Sequence, residues 1–225
     1  GFLHFNDLLP LEKHIKELKP KYWRVGNTLH NKEKRIQQIK ILHSYDIIPI
    51  LVITDFFAGI ENDWPNPLKH KSKFSNLVKD LYIENGNNVV YDIWNEPNTK
   101  DKGDFFETFK IAYNSIRSQP GGENAIITGP GTSRFDQEFI KDFLDYCLKN
   151  NLRLDILNWH EGGIIDDVLQ VQKNIKIAQN WVKEYSPIGI KKIYIPEILW
   201  ITEQFNPAAA FSYLYIIEKN NVTGT

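Results

Sequence analysis

An acidic residue directly after a long apolar run marks the first candidate for chemistry. Glu96 follows Val89–Trp94 and precedes Pro97, so its carboxyl must lie at the edge of a sheet or be costly to bury. Pro97 lacks an N–H and pushes Glu96 toward extended geometry. Strand alternation would send Asn95 and Glu96 to opposite faces, and they can serve one pocket only if the chain bends there. The alternative is a solvated glutamate beside a turn.

A second acid, Glu197, is flanked on both sides by residues that favour burial. It follows Ile193–Pro196 and precedes Ile198-Leu-Trp200. A carboxylate in such surroundings needs partners to offset its desolvation. Arg24 and His160, each at the end of another apolar run, could supply charge and hydrogen bonds. Their alternatives are a surface arginine beside Trp23 and a histidine satisfied by backbone.

Short β-branched or aromatic runs alternate with stretches of helical period along the whole chain. The helical stripes include Phe105–Ile116, where Asp104 and Glu107 suggest a capping box, Phe139–Cys147, Val168–Val182, Phe74–Leu81 before Gly86, and Ala208–Lys219. The predicted strands are Gly1–Phe5, Tyr22–Val25, Ile47–Ile53, Asn88–Trp94, Ala125–Thr128, Leu154–Trp159 and Lys192–Ile198.

This alternation predicts right-handed βαβ units and a parallel sheet. Seven units favour a single α/β domain over residues 1–225, a (β/α)8 barrel whose eighth strand begins near Asn221 and is truncated or incomplete. A doubly wound sheet is the alternative architecture. Active sites of such barrels lie where strands end and βα loops begin. The ends Asn95-Glu96, His160-Glu161 and Pro196-Glu197 should therefore meet at one rim.

Composition argues against several classes of partner. The formal net charge of −1 comes from interspersed acids and bases, so neither nucleic acid nor an anionic membrane is expected. The lone Cys147 is expected to fill core space. His160-Glu161-Gly-Gly-Ile164 lacks the second histidine of a zinc-protease motif, and Gly129–Ser133 lacks the lysine of a phosphate loop and suggests a turn. No metal or cofactor is expected.

The compartment and the oligomeric state stay undetermined from the sequence. No apolar run approaches the length of a membrane span, and no signal peptide is recognised. The chain begins at Gly1. We expect a secreted or periplasmic protein if a signal peptide has been removed, and a cytoplasmic one otherwise.

The segment Tyr91-Asp-Ile-Trp-Asn-Glu-Pro-Asn98 resembles the strand-four motif of the clan A glycoside hydrolases, most closely family 39, the β-xylosidase and α-L-iduronidase group. The resemblance continues through Phe139–Cys147, Leu154–His160 and Ile195-Pro-Glu197. It covers most of the chain from strand four onward. It implies a (β/α)8 barrel, a carbohydrate substrate and retention of anomeric configuration.

Carried over residue by residue, the resemblance implies that Glu96 is the general acid/base and Glu197 the nucleophile. Asn95 would hydrogen-bond the sugar hydroxyl next to the anomeric carbon. Further contacts to substrate are expected from Arg24, His160, Glu161, Trp159 and Trp200. The aromatic residues at or near loop ends could stack on sugar faces, with ordinary core or rim packing as the alternative for each: Trp64, Trp159, Trp200, Phe56 and Phe57. Pro196 stands where the family usually has threonine. This departure keeps open a catalytically silent carbohydrate-binding barrel.

Overall fold

The computed structural model describes residues 8, 11–25, 32–53, 67–99, 102–161, 168–199 and 205–223. The predicted first strand, Gly1–Phe5, lies outside these residues, as do Phe56, Phe57, Trp64 and Trp200. The chain divides into two compact units. Unit 1 comprises Gly1–Asn95 with Glu107–Ile126, and unit 2 comprises Glu96–Phe106 with Ile127–Thr225.

Six strands and seven α-helices are found within the described residues. The strands are β1 (Tyr22–Val25), β2 (Ile48–Val52), β3 (Val90–Asp92), β4 (Ile126–Thr132), β5 (Ile156–Trp159) and β6 (Lys192–Tyr194). The helices are α1 (Glu12–Leu18), α2 (Lys32–Ser44), α3 (Lys71–Asn85), α4 (Lys102–Arg117), α5 (Gln137–Lys149), α6 (Val168–Glu184) and α7 (Pro207–Lys219). The predicted alternation of strands and helices is confirmed over this part of the chain.

Strand pairing within each unit is parallel and follows chain order. In unit 1, β2 pairs with both β1 and β3, with Ile50 opposite Arg24 on one side and Val90 on the other. In unit 2, β5 pairs with both β4 and β6. Parallel neighbours require a crossover between successive strands, which the intervening helices provide. All side chains of β3 and β5 are buried, as expected for strands covered on both faces.

Several predicted boundaries need correction. Strand seven was expected to reach Ile198, but β6 ends at Tyr194, because Pro196 has no N–H to continue the pairing. Gly129–Ser133 was interpreted as a turn, yet β4 continues through Thr132 with an irregular register between Pro130 and Thr132, the kind of position where a strand tolerates proline.

The start of α4 also differs from the prediction. The helix begins at Lys102, so Asp104 lies in its first turn and does not serve as the N-cap of a capping box. At the other end of the chain, the N–H of Thr223 donates to the carbonyl of Ile193 on β6 at 2.9 Å. This contact is what the start of a following strand near Asn221 would make, although no strand is assigned among the described residues there.

Aromatic side chains pack together in the core of unit 2. Phe105 packs against Phe139 and Phe143 with ring centroids 5.7 and 5.3 Å apart. Cys147 is fully buried on the same helix as the latter two, which confirms it as core. Burial raises the pKa of its thiol. None of the described helices has the length and apolar composition needed to cross a membrane.

Candidate active site

The backbone at Glu96 is bent. Its φ of 53° is in the left-handed region, which costs a non-glycine residue about 1–2 kcal/mol. Hydrogen bonds hold this conformation. The Glu96 N–H donates to the carbonyl of Gly131 at 2.8 Å, and the Glu96 carbonyl accepts from the hydroxyl of Thr99 at 2.8 Å. Pro97 was expected to push Glu96 toward extended geometry, and the left-handed φ shows that this expectation is wrong. The chain bends at Glu96 instead, and such strain is typical of functional positions.

His160 directly follows β5 and lies against two carboxyl groups. Its backbone N–H donates to Thr132 at 2.7 Å, which holds it to the end of β4. The side chain is buried, and its Nδ1 lies 3.1 Å from Oε1 of Glu96 and 3.7 Å from Oε2 of Glu197. The imidazole therefore contacts both predicted catalytic acids, and the alternative of a side chain satisfied by backbone is wrong.

Glu197 lies three residues beyond the end of β6. Its carbonyl accepts a hydrogen bond from the N–H of Glu161 at 2.8 Å, which links this segment to the residue after His160. The side chains of Glu96 and Glu197 are 35% and 45% exposed, so both carboxyls are open to a ligand while the histidine beneath them is not.

Glu96, His160 and Glu197 each place one atom, a ring nitrogen or a carboxylate oxygen, within 4.8 Å of the corresponding atoms of the other two. Two of these three side chains carry carboxyl groups. Such a pair can supply one neutral acid and one anion, which is what acid-assisted displacement needs. A nitrogen and two carboxylates could also ligate a divalent metal ion. Among the described residues this is the one cluster with that composition.

A second polar cluster lies in unit 1 and is almost fully buried. Nε and Nη2 of Arg24 lie 3.1 and 3.0 Å from Oδ2 of Asp92, and Nη2 donates to Oδ1 of Asn95 at 2.9 Å. Arg24 is 1% exposed, so its interpretation as a surface residue is wrong. This contact turns the carbonyl oxygen of the Asn95 side chain toward the guanidinium. Asp92 was missed by the sequence analysis, although an acid inside an apolar strand is a signal for such a partner.

Trp159 was expected to contact substrate, and the structure corrects this prediction. Its side chain is fully buried and packs edge-on against Phe135, with ring centroids 5.0 Å apart, so it offers no face to a sugar. Its Nε1 donates to Oε1 of Glu161 at 2.7 Å, and the same oxygen accepts from Nδ2 of Asn174 on α6 at 2.9 Å.

The carboxyl of Glu161 is thus held by protein donors on one oxygen. The residue is 9% exposed. Burial raises the pKa of its carboxyl above the usual value, and the two hydrogen bonds oppose that rise. Asn174 was missed by the sequence analysis. Its signal is a polar residue on the buried face of α6, between Val171 and Ile175.

Paired carboxyls beside a histidine, just beyond the ends of strands in a parallel α/β fold, are an arrangement suited to glycoside cleavage. The sequence profile described as glycosyl hydrolases family 39 matches residues 62–203, more than half of the chain. The chain belongs to this family, as the resemblance of its strand-four motif indicated.

Solved structures show the same fold at low sequence identity. A protein of Neocallimastix frontalis matches with a TM-score of 0.74 and 21% identity, over 95% of this chain and 56% of its own. A glucosidase from Croceicoccus marinus matches with a TM-score of 0.69 and 15% identity, over 86% and 45%. A GH5-4 broad-specificity endoglucanase from Clostridium longisporum matches with a TM-score of 0.66 and 12% identity, over 99% and 75%. The chain spans about half the length of the first two.

Proposed function

We propose that residues 1–225 form a single (β/α)8-type domain of a retaining glycoside hydrolase. Glu96 is the general acid/base and Glu197 the nucleophile. The observation that carries the proposal is the convergence of Glu96, His160 and Glu197. One carboxylate oxygen of each glutamate and one ring nitrogen of the histidine lie within 4.8 Å of one another. Retaining enzymes hold their two carboxyls about 5–5.5 Å apart, while inverting enzymes leave about 6.5–9.5 Å for a water molecule. The short spacing supports retention.

The proposed reaction has two displacements. In the first, neutral Glu96 gives its proton to the glycosidic oxygen while the Glu197 carboxylate attacks the anomeric carbon, and the bond to the leaving group breaks. The product is a glycosyl ester on Glu197. In the second, anionic Glu96 removes a proton from water, whose oxygen attacks the anomeric carbon and releases the Glu197 carboxylate. Both residues return to their starting states.

His160 donates a hydrogen bond to the carboxyl pair in this proposal. Its Nε2 is buried with no hydrogen-bond partner within the described part of the chain. A proton on Nε2 would be a buried unsatisfied donor, whereas a bare nitrogen there costs less. Of the two tautomers, the one with its proton on Nδ1 is therefore favoured. That tautomer points its N–H at Glu96 and Glu197, where it stabilises whichever carboxyl is ionised.

The substrate is proposed to be a β-xyloside-like or related sugar in a plant or host glycan, as family membership implies. A panel of aryl glycosides tests this directly, with xylose, arabinose, glucose, galactose and uronic acids as the sugars. Each sugar is tested with a poor leaving group and with a dinitrophenyl leaving group. The dinitrophenolate departs without protonation, so its cleavage needs the nucleophile but not the general acid. Turnover of one sugar above the others identifies the class.

Azide rescue tests the two roles separately. Glu197→Ala should lose hydrolysis, and azide should then give a glycosyl azide of configuration opposite to the substrate. Glu96→Ala should keep turnover only of the dinitrophenyl glycoside, and azide should give the retained configuration. Glu218→Ala, an exposed glutamate on α7, is the control and should match wild type.

Two results would contradict the proposal. A fully active Glu197→Ala variant would remove this residue as the nucleophile. A wild-type protein that binds the sugars but cleaves none would favour the alternative, a silent carbohydrate-binding barrel.

A further inference from the structure

The segment that bears His160 is fixed by a buried contact that the catalytic proposal does not use. Oε1 of Glu161 accepts from the indole N–H of Trp159 and from the amide of Asn174 on α6, at 2.7 and 2.9 Å. Trp159 and Asn174 are both buried. A carboxyl that accepts two hydrogen bonds in such surroundings is held in one orientation, because its departure would leave both donors unsatisfied.

The backbone of the same residue reaches the nucleophile segment. The N–H of Glu161 donates to the carbonyl of Glu197 at 2.8 Å. Glu197 lies beyond β6, which ends at Tyr194, so the regular β5–β6 ladder does not hold it. This hydrogen bond links the residue after His160 directly to Glu197.

The positions of both Glu197 and His160 therefore depend on where Glu161 is held. A shift of its backbone moves Glu197 through the N–H contact, and it moves His160 through the peptide bond between them. His160 in turn lies 3.1 Å from Glu96. Misplacement of reacting groups by about 1 Å costs about 100-fold in rate.

We propose that Glu161 is a positioning residue, which anchors the 160–161 segment to Trp159 and α6 and thereby sets the place of the Glu197 nucleophile. The inference rests on the proposed function for its kinetic consequence. Its structural part, that the side chain of Glu161 holds the backbone contact to Glu197, stands apart from any activity.

The test compares Glu161→Ala, Glu161→Gln and Asn174→Ala with the wild-type protein. Glu161→Ala removes the acceptor and should lower kcat about 10–100-fold with KM changed less than about threefold. Glu161→Gln keeps an oxygen that accepts from Trp159 and Asn174, and its activity should stay within about threefold of wild type. Asn174→Ala should reduce kcat in the same direction by a smaller factor, and the double variant should be less than additive.

Two further measurements separate positioning from a general loss of stability. Covalent trapping of Glu197 by a fluorosugar should slow in parallel with kcat in Glu161→Ala. Amide hydrogen exchange should rise in the peptides that contain 155–161 and 193–199. Tyr185→Phe is the matched control in unit 2. It removes the 2.5 Å hydrogen bond to Asp145 and should leave kcat and those peptides unchanged.

Each outcome decides the inference. Unchanged exchange in both Glu161→Ala and Asn174→Ala would overturn it while leaving the glycosidase proposal intact. Raised exchange in a protein whose wild type cleaves no glycoside would support the structural part and overturn the function. A Glu161→Gln variant whose KM rises as much as that of Glu161→Ala would identify a substrate contact through the carboxylate instead, and would overturn the positioning role.

Discussion

Nδ1 of His160 lies 3.1 Å from Oε1 of Glu96, inside hydrogen-bond distance, although 64 residues separate them in the chain. His160→Ala removes this donor from the carboxyl pair, and we expect kcat/KM to fall about 100-fold, as for loss of one well-placed donor. His160→Asn offers an amide N–H near the same place and should restore part of the loss. Initial rates on the best aryl glycoside measure both variants.

His43 is the control for His160. It is exposed, and its Nε2 lies 3.0 Å from the carbonyl of Asn88. His43→Ala should leave kcat/KM unchanged. An equal loss in His43→Ala and His160→Ala would mean that the effect reports protein stability and not the contact with Glu96.

The buried pair of Arg24 and Asp92 gives a prediction for stability. Asp92→Asn keeps the shape of the side chain but removes its charge, so the buried Arg24 guanidinium loses the negative charge of Asp92. The free energy of unfolding should fall by about 3–5 kcal/mol. Urea denaturation measures the change. Lys141→Met, which breaks an exposed pair with Asp145, should leave that free energy nearly unchanged, and a similar loss in both variants would contradict the prediction.

Glu161 gives a prediction for pH dependence. Burial raises its pKa above the usual 4.5, so the folded protein binds more protons than the unfolded chain between the two pKa values. The free energy of unfolding therefore declines as pH rises through that interval. Glu161→Gln cannot titrate and lacks this decline. Its stability relative to wild type should increase from about pH 4 upward and then level off.

Urea denaturation at several pH values checks this trend. A wild-type protein and a Glu161→Gln variant whose stabilities stay parallel across the whole range would show that Glu161 keeps its ordinary pKa.

The fold was predictable where the apolar pattern is clean. β1 occupies Tyr22–Val25 as predicted, and α3 ends at Gly86 as predicted. Helix α2 was missed because its buried face includes Arg35 and Gln38 beside Ile39 and Leu42, which breaks the hydrophobic period. Arg35 is buried because its guanidinium pairs with Glu84 on α3 at 2.8 Å, a partner that no local pattern reveals.

The two acids of the candidate site could be predicted from the sequence, but the packing of the residues around them could not. Glu96 and Glu197 each stand next to an apolar run, which made them visible as unusual. The partners of Arg24 depend on the register of separate strands, with Ile50 between Arg24 and Val90, and the sequence does not show that register. Trp159 was misassigned because a strand end alone does not tell whether a ring faces the core or the solvent.

Asn95 gives a prediction that separates its hydrogen bond to substrate from its contact with Arg24. Its Oδ1 accepts from Arg24 at 2.9 Å, which leaves the side-chain N–H groups as the atoms to donate to a substrate. The family resemblance implies the hydroxyl next to the anomeric carbon as the acceptor. Asn95→Ala should lower kcat/KM about 100-fold for the parent glycoside, and should change it little for the deoxy analogue without that hydroxyl.

The comparison between the two substrates removes the effect of stability on the Asn95 result. Asn95→Ala also takes an acceptor away from buried Arg24, so both substrates should lose a small common factor. Asn124→Ala, an exposed asparagine of unit 1, should match wild type on both. If the parent glycoside and its deoxy analogue lose rate equally in Asn95→Ala, the residue acts only by supporting Arg24. A larger loss on the parent glycoside than on its deoxy analogue would instead show that Asn95 itself donates to the substrate hydroxyl.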